Sequence, residues 1–299
     1  MKKIMVIEAP SNLGLIEPFP GGEPGVKKLP AWLKKHGLYK CLHPYKIKKI
    51  NPPPYTMMVD IESGVRNADS IVDFSGALSV AVQRAIMQGY FTLVIGGDCS
   101  ILMGCAIALK KIGRFGLFFL DGHTDYMWPE LSQTAGAAGM ELAIVCGIGS
   151  DKLTNISDLK PYFEEKYVWC IGNRDDTDWY VHAIKNSGIH YVDLNNLRKA
   201  GINNCVTDFL QFVREKELVG FWVHVDVDVL NDNLMPAVDS RQPDGLLYEE
   251  FYEILYPLVT HEKAIGLNLT ILDPDRDTCG VHTKTFINQF CSVLKSLHQ

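Results

Sequence analysis

The sequence predicts an α/β fold, a three-layer α-β-α sandwich around a mostly parallel central sheet. Three observations carry that expectation. Short, nearly continuous apolar runs recur along the chain, as in strands covered on both faces. Segments with apolar residues at helical spacing lie between them. Acids, a thiol and imidazoles gather where three of the apolar runs end, the edge at which open parallel sheets hold ligands.

In chain order, the first strand is expected at Ile4 to Ile7. The two lysines before it resemble the start of a secretory leader, but the apolar part meets Glu8 and Pro10 at once and reads as a buried strand. The lysine pairs and triplet at Lys27-Lys28, Lys34-Lys35 and Lys46-Lys48-Lys49 read as solvated faces, and Asn51 to Tyr55 (NPPPY) as a rigid surface turn. A helix is expected over Ile71 to Gln88, then a strand at Thr92 to Ile95, a Gly96-Gly97 turn and a helix from Leu102 to Ile112. Further strands are expected at Gly116 to Leu120, Val168 to Ile171, Gly220 to Val227 and Ala264 to Thr270. A helix within 176–188 stops at Gly188, and another within 245–259 repeats apolar residues at helical spacing. With no repeat, low-complexity tract or long linker, a single domain over 1–299 is expected.

Composition narrows the function. The chain has 299 residues, 47% of them hydrophobic, and a net charge of −6, which argues against nucleic acid as a partner. No apolar run is long enough to span a membrane. None of the eight cysteines is spaced as CxxC, so a zinc ribbon is not expected, and the simple reading is a reduced, cytoplasmic protein. Cys146 and Cys170 sit in strand-like runs, where cysteine serves as a small hydrophobe.

The chemistry is expected at three strand ends. The first, Gly96-Gly97-Asp98-Cys99-Ser100, turns sharply and presents Cys99. In the second, Asp121, His123 and Asp125 alternate, so an extended segment would aim all three to one side. In the third, His224, Asp226 and Asp228 alternate with buried valines. Four aspartates so close must be protonated or neutralised, and a divalent cation is the natural partner. Carboxylate and imidazole ligands suit Mn²⁺, Zn²⁺, Fe²⁺ or Ni²⁺ in an open, water-binding catalytic site.

These motifs resemble those of the ureohydrolases: arginase, agmatinase and formiminoglutamase. The family's GGDHS, DAHxDx and SxDxDxxDP stand here as GGDCS (96–100), DGHTDY (121–126) and HVDVDVLND (224–232), in the same order. The resemblance covers roughly residues 70–290 and includes MPAVDSRQPDGLLYEE (235–250) and WCIGNRDD (169–176). It implies an arginase/deacetylase-like fold, a small-molecule substrate, a homo-oligomer and one or two divalent ions, Mn²⁺ first. Asp121 and Asp226 would bridge two ions, His123 and Asp228 would complete one, and Asp125 would bind the other and orient the nucleophile. Cys99 stands in place of the motif histidine, and three readings stay open: a thiolate ligand with a softer metal such as Zn²⁺, Fe²⁺ or Ni²⁺, a one-metal enzyme, or a silent homologue.

Other positions depart from the family pattern. Its substrate-binding and proton-shuttle positions become Met127, Thr134 and Ala138, leaving Glu141 and His224 as candidate proton-transfer groups. Ile271 stands where the family carries the glutamate that pairs a guanidinium, which argues against arginine as substrate. Asp273, Asp275, Arg276 and Asp277 form a loop network or reach the site, and Tyr126 and Trp128 are expected as an aromatic wall. The expected activity is hydrolysis of a linear, non-peptide C–N bond by metal-activated water, on an amidino, guanidino or formimino compound. The alternatives are a one-metal amide deacylase and a silent metal-binding homologue.

Overall fold

A computed structural model describes residues 2–298. Its eight strands are β1 (Ile4–Ala9), β2 (Lys46–Lys49), β3 (Phe91–Gly96), β4 (Phe115–Leu120), β5 (Val168–Ile171), β6 (His190–Val192), β7 (Gly220–Asp226) and β8 (Ala264–Thr270). They form one sheet in the order β2-β1-β3-β8-β7-β4-β5-β6, with every pairing parallel. The expected sandwich is therefore present, and the sheet is wholly rather than mostly parallel.

The six apolar runs all became strands, because a run buried on both faces has no polar side to turn to water. The two strands that sequence patterning missed are the edges. β2 is Lys-Ile-Lys-Lys and exposed throughout, so it carries no apolar signal; its lysines protect an open edge from pairing with another chain. β6 is three partly exposed residues long.

Alternation along each strand divides the core between the two faces. Val6, Leu93, Phe118, Phe221 and Leu267 pack under helices Leu29–Lys35, Ile202–Glu215, Tyr248–Thr260 and Val281–Leu294. Ile7, Val94, Leu117, Phe119 and Trp222 face helices Ala68–Met87, Leu102–Ile112 and Asp178–Lys185. Among the described residues no helix is long and apolar enough to cross a membrane.

The fully reduced reading of the cysteines is corrected at one pair. Cys41, at the end of helix Leu38–Leu42, is disulfide-bonded to Cys291 in helix Val281–Leu294. The two are 250 residues apart, and only the packing of these helices against each other brings the sulfurs together.

Strand order sets the site. The chain places β3 and β4 apart, then returns from β6 to insert β7 and β8 between them. The carboxyl ends of β3, β8, β7 and β4 thus lie side by side, and three of them carry the motifs. Register aligns them further: His224 on β7 pairs with Asn268 on β8, and Asp226 pairs with Thr270.

Candidate metal centre

The end of β3 is bent by close backbone approach. A Cβ on Gly97 would lie 1.7 Å from the carbonyl oxygen of Ser11, so only glycine fits. Asp98 then accepts from Ser11 Oγ at 2.6 Å and from Ser100 N at 2.9 Å, fixing the turn. This carries Cys99 inward, fully buried, with Sγ 2.8 Å from Asp226 Oδ2 and 3.0 Å from Thr270 Oγ1.

Beyond β4 the chain leaves the extended conformation that the alternating pattern predicts. Asp121 Oδ1 accepts from His123 N at 2.7 Å, and Asp125 adopts a left-handed φ of 43°. The three side chains still converge, but a bent loop brings them together rather than one strand face. At the end of β7 a correction of the same kind applies. Asp226 closes the strand and accepts from Asp228 N at 2.8 Å, so Asp228 lies in the following turn. Asp228 accepts from Gly122 N at 3.0 Å and faces His123 Nδ1 at 2.9 Å, tying the two motif loops together. Arg174, after β5, donates to the carbonyl oxygens of Asp228 and Val229 and holds that turn.

Two groups of ligand atoms result. Cys99, Asp121, Glu141 and His224 offer atoms within 4.8 Å of one another, as do Asp121, His123 and Asp228. His123, Asp125, Asp226 and Asp228 line a cavity of about 350 Å³. Met127, Thr134, Ala138 and Ile271 line it too, as the family pattern implies. The expected aromatic wall is corrected. Tyr126 is buried and its hydroxyl donates to Glu165, while Trp128 lines a separate depression beside Glu62 and Ser150. The loop after β4 turns both rings away, and Trp179 and Tyr180 line the cavity instead. The aspartates after β8 are structural: Asp275 pairs with Lys28, and Asp277 accepts from Thr283 N and Oγ1 at the start of a helix.

His224 is fixed by a chain of donors. Trp222 Nε1–H can only donate, and does so to Asn268 Oδ1 at 2.7 Å. That orients the amide, so Asn268 Nδ2 donates to His224 Nδ1, also at 2.7 Å. The imidazole proton therefore sits on Nε2, 3.7 Å from Asp121 Oδ2. Burial lowers the His224 pKa to about 4, despite the carboxylate of Asp125 and the Asn268 hydrogen bond, so the ring is neutral and stacks on Phe119 with centroids 4.5 Å apart. It presents an N–H to the site, not a lone pair. The indole and amide of this relay were missed from sequence; Asn268, polar in the apolar run GLNLT, was the available signal.

The residues fit a cation. Asp121 Oδ2 and both Glu141 oxygens are buried without a hydrogen-bond partner. Burial first, then neighbouring carboxylates, push Asp121, Asp125 and Glu141 well above the usual carboxylate range, and burial with Asp228 and Asp121 does so for Asp226. Burial disfavours the charged form of His123, but Asp228, Asp125 and Asp121 outweigh it and raise its pKa to about 10. Burial also opposes ionisation of Asp228, yet His123, with Arg174, holds it below the usual range. Protons stand in for the positive charge the cluster demands.

Comparison with known proteins relates the chain and its fold to one family. The sequence model of the Arginase family matches residues 4–294. An arginase of Bacillus caldovelox is 26% identical, covering 94% of this chain and 95% of that protein. An arginase of Staphylococcus aureus (strain MRSA252) is 29% identical over 72% of this chain and 73% of its own length. The fold superposes on the crystal structure of the Bacillus caldovelox arginase with a TM-score of 0.87, at 24% identity and 98% coverage of both chains.

Proposed function

The chain belongs to the arginase family, and we propose that it hydrolyses the C–N bond of a small amidino, guanidino or formimino compound with activated water. The observation that carries this reading is the convergence of Asp121, His123, Asp125, Asp226 and Asp228 around one cavity, with a buried, unpartnered Asp121 oxygen among them. Asp121 and Asp226 would be shared between two cations, His123 and Asp228 would complete one, and Asp125 and Cys99 would serve the other. A divalent cation bound there supplies Lewis acidity and lowers the pKa of bound water.

The chain's own groups do the rest. Asp125, on its bent loop, accepts a hydrogen bond from the attacking water and aims it. His224 is buried behind Asp121, its Nε2 3.7 Å from Asp121 Oδ2, and with Nδ1 held by Asn268 it stays a neutral donor rather than a proton shuttle. Trp179, Tyr180 and Ile271 give the cavity an apolar wall. Ile271, held at φ 75° with its N–H on the Gly97 carbonyl, offers no carboxylate to a guanidinium at that wall. Asp175 and Asp239, also lining the cavity, suit a cationic substrate of a different shape from arginine.

The test is Asp226→Asn, assayed for ammonia or urea release across amidino, guanidino and formimino substrates. Turnover should fall by on the order of 10³-fold or more while the unfolding transition stays cooperative. Full activity in the variant, or a wild type that holds no metal, would refute the assignment. The Asp121–His123–Asp228 group is compact by itself, which favours one-metal hydrolysis of an acyl amine as the second reading. A single metal equivalent in the wild type would select it.

A further inference from the structure

We propose that Glu141 is a metal ligand, and that with Cys99 and Asp121 it forms a thiolate–carboxylate site replacing the one that the missing histidine would serve. The inference deepens the two-cation reading above and rests on it. Glu141 opens the short helix Glu141–Val145, and Ala143 N donates to the Asp125 carbonyl oxygen at 3.3 Å, which ties this helix to the motif loop. Its side chain is fully buried, and neither oxygen meets an N–H or O–H donor. Its one polar neighbour in hydrogen-bonding range is the carboxylate of Asp125, and two carboxylates can pair only by sharing a proton, which a bound cation would displace. A carboxylate kept for structure would be buried with donors around it. One whose oxygens meet no N–H or O–H donor, only other carboxylates and a thiol, is arranged for a cation.

The neighbouring atoms decide the ligand set. Cys99 Sγ, an Asp121 oxygen, a Glu141 oxygen and a His224 nitrogen lie within 4.8 Å of one another. The Trp222–Asn268 relay removes His224 from that set, because its facing nitrogen carries a proton. Its Nε2 lies 3.7 Å from Asp121 Oδ2, too far for a hydrogen bond, so that oxygen stays free for a cation. What remains is one sulfur and two carboxylates, a softer set than imidazole and carboxylates, suited to Zn²⁺ or Fe²⁺. Glu141 is thus assigned to the metal and not to proton transfer.

Cobalt(II) is the probe. Wild-type protein, stripped and reloaded with Co²⁺, should hold two equivalents and show a thiolate-to-cobalt charge-transfer band that Cys99→Ser abolishes. Glu141→Gln should keep the equivalent on His123 and Asp228 and lose, or bind on the order of 100-fold more weakly, the one that gives that band. Glu141→Met guards against misfolding as the cause: in chelator it should unfold at a higher temperature than wild type, since a buried unpaired carboxylate is gone. Two tight equivalents and an unchanged band in Glu141→Gln would overturn the assignment. One equivalent without a band in wild type would overturn it too and select the one-metal reading. No cobalt in wild type would sink the hydrolase reading itself.

Discussion

Asn268→Leu and Asn268→Asp should have opposite consequences for His224, and the difference tests the relay directly. Asn268 is fully buried between two groups, accepting from Trp222 Nε1 and donating to His224 Nδ1, each at 2.7 Å. Leucine is close in volume and offers neither bond, so an indole N–H and an imidazole nitrogen are left unpaired in a dry interior. Each orphaned group costs about 1–3 kcal/mol, giving about 2–6 kcal/mol for the pair. That is a large share of a typical stability of about 5–15 kcal/mol, and urea unfolding of the metal-free protein would read it. Aspartate keeps the bond to Trp222 but accepts at His224 Nδ1, which moves the imidazole proton to Nδ1 and frees the Nε2 lone pair. Nitrogen-15 spectra of labelled histidine should show an Nε2–H tautomer in wild type and an Nδ1–H tautomer in Asn268→Asp. With Co²⁺, the aspartate variant should gain a nitrogen ligand. An Nδ1–H tautomer in the wild type would refute the reasoning, as would a loss below about 0.5 kcal/mol in Asn268→Leu.

Further outcomes follow from the same geometry. In chelator, stability should fall as pH rises from about 7 to about 9. His123 titrates near 6.5 when unfolded and about 10 when folded, so the native state holds the extra proton across that window. The slope is about −1.4 kcal/mol per pH unit for each such proton. Below about 6.5 the depressed pKa of His224 acts with the opposite sign, because the unfolded state then binds the proton. Thermal melts of metal-free protein that are flat or rising from pH 7 to 9 would contradict this, and added metal should stabilise more at the higher pH because it displaces protons. Gly97→Ala places a Cβ 1.7 Å from the Ser11 carbonyl oxygen, against backbone that cannot yield cheaply. It should cost roughly 3 kcal/mol or more in urea unfolding and loosen metal binding through Cys99; an unchanged midpoint would show that the turn adapts.

Much of the fold and site was legible because the signals are local. Buried parallel strands are apolar on both faces, so six of the eight could be read from short runs, while Lys46–Lys49 and His190–Val192 at the sheet edges lacked that signature. The alternating Asp121–His123–Asp125 and His224–Asp226–Asp228 patterns marked the metal centre, although both loops bend where the pattern suggested extension. Tyr126 and Trp128 show the limit: adjacency to the motif in sequence said nothing about which side of the loop faces the cavity.

The sequence by itself determined the layered α/β class, the buried strands and the positions that offer carboxylate, imidazole and thiol at strand ends, since these depend on residue type and a period of two. Only the tertiary structure decided which of those ends meet. Inserting β7 and β8 between β3 and β4 sets Cys99 against Asp226 and Thr270 and stacks His224 on Phe119. The same packing brings Glu141 into the cluster with no N–H or O–H donor for its oxygens, and joins Cys41 to Cys291. Strand order and helix packing are settled by the burial of whole faces against one another, a property of the assembled chain that no local pattern carries.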